Sequence, residues 1–345
     1  MDWRAAAHFA NLFFCWKGLP IKIIVQKFGG SSVRDAARLR RACEIIAKAR
    51  AAGYAVVAVF SAQGDTTDEL LARAKEITSR PSQRELDALL ATGECVSVAL
   101  GAMMLEELGL PALSLTGWQA GIRTDGKHGG ANILALSHER IRRELERGNI
   151  VLVAGFQGVD AAGDITTLGR GGSDTSAVAL AACLDAELCQ IYTDVEGVYT
   201  TDPRICPAAQ HLTEISCDQM LRLAAAGAQV LHDRSVALAK KHGVELQVLG
   251  CTEGSRMTRI SPLAAELPLT GLTKAETAEG LVRLTAVGAA LPNGILLERM
   301  CEVLCDDGVL LKGVEQGENT MSVLVERASA ERALRLVHAA LFETS

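Results

Sequence analysis

The chain has no Cys-x-x-Cys pair. Its ten cysteines, at positions 15, 43, 95, 183, 189, 206, 217, 251, 301 and 305, are scattered singly over 345 residues. Such scatter matches neither a zinc ribbon nor a dithiol redox motif and reads as reduced thiols in a reducing compartment, so a cytoplasmic enzyme is expected. Cys301 and Cys305 stand one helical turn apart, but two thiols without further ligands make no zinc site, and no metal-ligating set is assigned. A basic excess is also missing: 35 Lys and Arg against 41 Asp and Glu leave a net charge of −6, which argues against a nucleic-acid surface. Residues 1–20 lack the marks of a signal peptide. Their apolar centre, Ala5–Trp16, is interrupted by His8 and Asn11, is preceded by little basic charge and is followed by no clear small-residue cleavage site. It is too short to span a bilayer, so the segment reads as an N-terminal extension and no membrane association is expected. With 49% hydrophobic and 22% charged residues, there is enough chain for one large domain and a smaller one.

What is present is a set of glycine-bearing loops after apolar runs. Ile21–Val25 breaks into Gln26-Lys27-Phe28-Gly29-Gly30-Ser31-Ser32. This is neither the P-loop spacing nor the dinucleotide fingerprint, yet a lysine beside paired glycines suits a phosphoryl group. Thr166–Ala177 contains Gly169-Arg170-Gly171-Gly172-Ser173-Asp174 at the mouth of an apolar helix. Here the glycines permit close backbone approach, the helix N–H groups face an anion, and Arg170 offers a planar fork to a carboxylate or phosphate. An ordinary glycine turn capped by Ser and Asp has the same local sequence. The third loop, Ile191–Arg204, carries Asp194, Glu196, Asp202 and Arg204 around Gly197 and Pro203.

Apolar runs at 21–25, 55–60, 112–115, 150–156, 188–192 and 244–249 alternate with helical patterns at 35–52, 85–108, 137–147, 173–184 and 228–242. That alternation predicts an α/β fold with a mainly parallel sheet sandwiched by helices, and all three loops follow a strand, where such sheets bind ligands. From 251 to 280 the chain reads as loop-rich, with Pro262 and Pro268. Thereafter strand, helix, two strands and helix are predicted at 282–291, 293–305, 309–316, 320–325 and 328–341.

The three loops, in order, resemble the Lys-Phe-Gly-Gly, Gly-Arg-Gly-Gly-Ser-Asp and Thr-Asp-Val-x-Gly-Val-x-Thr-x-Asp-Pro-Arg segments of the aspartate kinase family. The likeness runs from about Ile21 to Val248 and includes Ser61–Asp68, Arg84–Glu94, Ser114–Asp125 and His232–Lys241. It implies a catalytic domain at 21–250 with the three-layer αβα amino-acid kinase fold, a linker at 251–280 and an α+β ACT-like regulatory module at 281–345. The family usually carries two interleaved ACT units. The tail here resembles the second, and Leu269–Thr273 would be a remnant of the first.

The implied reaction is transfer of the ATP γ-phosphoryl group to the β-carboxylate of L-aspartate, the first step towards lysine, threonine and methionine. That nucleophile, with a reference pKa of about 3.9, needs no base, so catalysis rests on positioning and charge neutralisation, with ATP and Mg²⁺ as cofactors. By resemblance Lys27 with the amides of Gly29 and Gly30 would stabilise the transferring group, with Ser61 in the matching nucleotide loop. Arg170 would fork onto a substrate carboxylate, Glu94 would pair with the ammonium, and Thr67 and Ser173 would complete the substrate site. Asp174 would organise the cations, while Thr193, Asp194, Tyr199, Asp202 and Arg204 would hold the nucleotide. One position departs from the family: Gln229 stands where Gly-Ala-Lys commonly precedes Val-Leu-His. The resemblance also implies a homodimer or higher homo-oligomer. Two alternatives stay open, another amino-acid kinase and a non-catalytic amino-acid and nucleotide sensor.

Overall fold

The computed structural model describes residues 22–252, 254–289 and 294–343. The extension at 1–20, Ile21 at the head of the first apolar run, and the expected strand and helix ends at 290–293 lie outside the described residues. The chain divides into two compact units, Met1–Gly169 with Cys183–Glu187, and Arg170–Ala182 with Leu188–Ser345.

In the first unit, β1 (Ile23–Phe28) leads into the single-turn α1 (Gly30–Val33) and then α2 (Ala36–Ala51), which is capped by the Asp35 carboxylate on the Arg38 amide at 2.9 Å. β2 (Ala55–Phe60), α3 (Thr66–Ile77), α4 (Gln83–Glu107) and β3 (Ala112–Leu115) follow. Next come β4 (Ile122–Thr124), β5 (Ile133–Leu136), α5 (Glu139–Glu146), β6 (Ile150–Ala154), β7 (Gln157–Val159) and β8 (Ile165–Thr167). The strands β1, β2, β6 and β3 lie side by side, all parallel. Every residue of β1, β2 and β6 is buried, Gln26 and Lys27 of β1 included, as strands covered on both faces require. β6 stops short of the predicted Phe156 because that residue turns with φ 69°. A second sheet, in the order β5-β4-β7-β8, is a structural addition. Its three- and four-residue strands carry too little alternation to be read from sequence. α4 has the length and hydropathy of a membrane span, but it packs against α2, β2, β3 and β6 and buries two carboxylates, Asp87 and Glu94.

The second unit opens with α6 (Gly172–Leu184), followed by β9 (Leu188–Thr193), the paired β10 (Val198–Tyr199) and β11 (His211–Leu212), then β12 (Glu214–Ser216), α7 (Cys217–Ala225) and α8 (Asp233–His242). β13 (Leu246–Gly250), β14 (Met257–Ser261), β15 (Gly271–Glu276), β16 (Leu281–Val287), α9 (Ile295–Asp306), β17 (Leu311–Gln316), β18 (Thr320–Glu326) and α10 (Ala330–His338) complete it. The helix predicted from 228 begins only at Asp233, because a turn runs through Gly227 and His232 caps the helix. β9 runs parallel to β13, and β14 sits between β13 and β12.

The stretch 251–280 is thus more ordered than its sequence suggests. β14 joins the sheet of β9 and β13, and β15 opens an antiparallel sheet of order β15-β16-β18-β17. That sheet starts at Gly271, not near 281, and Leu272 of the expected remnant lies in its core. From β16 onward the order is strand, helix, strand, strand, helix as predicted, with Leu284, Met300, Leu304, Val323, Ala333 and Val337 forming the module's own core. Cys43, Cys189, Cys206 and Cys217 are buried. Burial pushes the Cys43 thiol up to about 12.

Candidate active site

In the first unit the carboxyl ends of β1 and β2 are tied together. The Ser61 amide donates to the Phe28 carbonyl at 3.1 Å and the Gly64 amide to the Gly30 carbonyl at 3.0 Å. Lys27 is buried on β1 in register with Val59, so Lys27, Gly29, Gly30 and Ser61 form one loop cluster. Thr67 lies half-buried in the first turn of α3.

Glu94 reaches this cluster from α4. The Ala62 amide donates to its Oε1 at 3.1 Å, and the approach is close enough that a Cβ on Gly93 would stand 2.8 Å from the Ala62 Cβ. The side chain is 3% exposed and its Oε2 has no hydrogen-bond partner among the described residues. Burial pushes its carboxyl up to about 8, against the smaller opposing pull of the Ala62 N–H. A carboxyl so placed becomes comfortably ionised only when a cation arrives.

Two turns earlier on the same helix, Asp87 accepts from the Gly129 amide, the Thr167 amide at 3.0 Å and the Thr167 hydroxyl at 2.6 Å, with His128 Nδ1 at 3.0 Å. It anchors the end of β8 and was not singled out from sequence. The available signal was an acid seven residues before Glu94 in an apolar stretch. His128, Asp160 and Asp164 hold potential ligand atoms within 4.8 Å of one another, but Arg84 already engages Asp164 at 2.6 Å.

In the second unit Arg170 is exposed just before α6. Gly171 takes φ +67°, and a Cβ there would fall 2.2 Å from the His232 Cβ. Its carbonyl receives the Thr175 amide at 2.9 Å and hydroxyl at 3.0 Å. The helix begins at Gly172, so Ser173 and Asp174 are not caps ahead of it but first-turn residues, both buried. An acid in that position also suits the helix dipole.

The third loop is partly self-satisfied. The Thr193 hydroxyl donates to Asp194 at 3.1 Å. Arg204 grips Asp202 through Nε at 3.0 Å, Nη2 at 2.9 Å and its own amide at 2.9 Å, which holds the Asp202 carboxyl below the usual range. Tyr199 meets His211 edge-on at 5.3 Å. Gln229 is exposed in the turn between α7 and α8.

A lysine–glycine loop at the end of a parallel strand and an arginine–glycine helix start after a short hairpin belong to an α/β protein with a parallel sheet. The model of the amino acid kinase family matches residues 22–250, and the chain belongs to that family, within its aspartokinase group. It is 56% identical over 238 residues to the aspartokinase of Geobacillus stearothermophilus, a match covering 69% of this chain and 58% of that protein. It is 42% identical over 332 residues to the aspartokinase of Thermus thermophilus, covering 93% and 80%. The chain therefore spans less than two thirds of the first relative and more of the second. Among solved structures, E. coli aspartokinase III in complex with aspartate and ADP matches with a TM-score of 0.80 at 22% identity, over 93% of this chain and all of that one. The Synechocystis aspartate kinase matches at 0.64 and 32%, over 94% and 70%. These matches carry the α/β amino-acid kinase fold.

Proposed function

We propose that the chain phosphorylates the β-carboxylate of L-aspartate from ATP, yielding 4-phospho-L-aspartate and ADP. The observation that carries this reading is Glu94: a buried carboxyl with one unpartnered oxygen, beside a glycine loop, asks for a ligand cation. A free α-ammonium supplies it, whereas acetylated, carbamoyl or nucleotide acceptors do not. The relatives' name and the aspartate and ADP held by E. coli aspartokinase III agree with this choice.

On this reading Arg170 forks onto a substrate carboxylate, and Thr67 and Ser173 add neutral contacts. A carboxylate oxygen attacks the γ-phosphorus, the bond to the bridging oxygen breaks and ADP leaves. Lys27 and the Gly29 and Gly30 amides neutralise charge on the group in flight. Thr193, Asp194, Tyr199, Asp202 and Arg204 hold the nucleotide, with Ser61 in its loop. The carboxylates of Asp174 and Asp194 are hard oxygen donors of the kind Mg²⁺ takes, and Mg²⁺ would supply charge neutralisation on the phosphates. Gln229 donates a hydrogen bond but no charge. Loss of one preorganised stabiliser costs about 3–4 kcal/mol unless a cation such as Arg234 compensates.

The domain assignment on this reading is a kinase domain from 21 and an ACT-like module in the tail, in a cytoplasmic homodimer or higher homo-oligomer. Hydroxamate trapping of the acyl phosphate with Mg²⁺-ATP and aspartate, glutamate or acetylglutamate tests it. Product with aspartate that disappears in Lys27→Met is expected. Product with another acceptor alone would reassign the substrate, and nucleotide binding without any product would favour the sensor reading.

A further inference from the structure

His338 belongs to no site described above, yet it is wholly buried at the end of α10 and both ring nitrogens are engaged. Nδ1 lies 3.0 Å from the Glu343 carboxylate and Nε2 lies 2.9 Å from the Thr200 hydroxyl. The carboxylate can only accept, so Nδ1 carries a proton. The Thr200 hydroxyl oxygen also receives the Gln210 amide at 2.9 Å, and its own hydrogen is available to a neutral imidazole at Nε2. Glu343, His338, Thr200 and Gln210 thus form one ordered chain of hydrogen bonds, and Phe342 stacks on the imidazole at 4.9 Å to fix its plane.

Thr200 stands between Tyr199 and Asp202, in the loop assigned above to the nucleotide. The same loop meets the C-terminal module at further points. The Leu272 amide donates to the Thr200 carbonyl at 2.6 Å, Gln210 Nε2 to the Phe342 carbonyl at 2.9 Å and Arg335 to the Ile205 carbonyl at 3.4 Å. Ile205 packs against the module's apolar core. Of these contacts the His338–Thr200 bond is the buried side-chain pair, and its loss leaves the imidazole Nε2 without that partner.

We propose that His338 is a positioning residue for the nucleotide loop: its imidazole, oriented by Glu343 and Phe342, takes the Thr200 hydrogen bond and holds residues 198–204 in the conformation that binds ATP. Nucleotide affinity then depends on the C-terminal module being folded against this loop. The inference rests on the nucleotide reading of that loop, so binding of a fluorescent ADP analogue to the full chain is measured first and without turnover. A wild-type protein that binds no adenine nucleotide sinks both readings.

With binding established, His338→Leu is expected to raise the analogue's Kd and the KM for ATP about tenfold, with kcat and the KM for aspartate changed less than about threefold. His338→Gln, whose Oε1 can accept from Thr200, is expected to recover most of the affinity. Thr200→Val should reproduce the Leu variant, and combining the two should add nothing further, as for partners in one interaction. Unchanged nucleotide affinity in His338→Leu, with only a lowered Tm, would overturn the proposal. If that variant does not fold, Thr200→Val against Thr200→Ser carries the test, and equal nucleotide affinity in both would overturn it.

Discussion

A buried carboxyl that meets no cation keeps its proton, and Glu94 turns that rule into pH dependences that can be measured. Its folded value of about 8 lies above the ordinary 4.5, so between those values the folded chain binds the proton that the unfolded chain has released. Stability contributed by this group is therefore complete below about pH 4.5 and declines as pH rises through 8. Glu94→Gln, which keeps an acceptor for the Ala62 amide, should gain thermal stability over the wild type above pH 8. Binding of an ammonium reverses the preference. The KM for aspartate should fall as pH rises from about 6.5 to 8.5, and calorimetry in buffers of different ionisation enthalpy near pH 7 should show release of close to one proton on binding. Glu94→Gln should abolish that release; release that persists in the variant would assign the proton elsewhere. Arg170→Lys should raise the KM for aspartate much more than that for ATP, because a point ammonium does not reproduce a bidentate fork. Equal increases would place Arg170 on the nucleotide.

Among the elements, α6 and α8 depend on one another through Gly171. The left-handed φ of +67° and the 2.2 Å approach to the His232 Cβ leave no place for a methyl. Gly171→Ala should cost about 3 kcal/mol, from backbone strain and overpacking together, read as a lowered Tm in thermal denaturation. The turn after α7 is more permissive. Gln229 is exposed there, so Gln229→Lys should fold normally and leave turnover unchanged if another cation already serves, or raise it if none does. A loss beyond about tenfold in a stable variant would mean that the glutamine itself is functional.

For the whole molecule, regulation is the property most exposed to test. Among the described residues, 271–343 hold one four-stranded sheet with α9 and α10 where the family resemblance leads one to expect two interleaved units. A ligand shifts an equilibrium only through different affinities for its two states. With one such unit among the described residues, the 345-residue polypeptide is expected to bind lysine or threonine weakly, so millimolar amounts should leave its phosphorylation of aspartate nearly unchanged. Titrating lysine, threonine and methionine in the kinase assay checks this. Cooperative inhibition at submillimolar lysine would show that subunits rebuild the site across a dimer.

Sequence alone was enough for the alternation of buried strands and helices, the three loops and the family they resemble, because these are local patterns in which a few neighbouring residues carry the signal. β14 escaped it, and β15 was read only as the remnant at Leu269–Thr273, since five- and six-residue strands beside Pro262 and Pro268 show little periodicity until a partner strand supplies their hydrogen bonds. The tertiary structure decided what depends on residues far apart in the chain. Glu94 becomes a proton-holding carboxyl only through burial, which outweighs the bond it receives from Ala62, 32 positions away. The His338 imidazole finds Thr200 across 138 positions. Burial and pairing set charge and orientation, and neither is a property of a residue's neighbours in sequence.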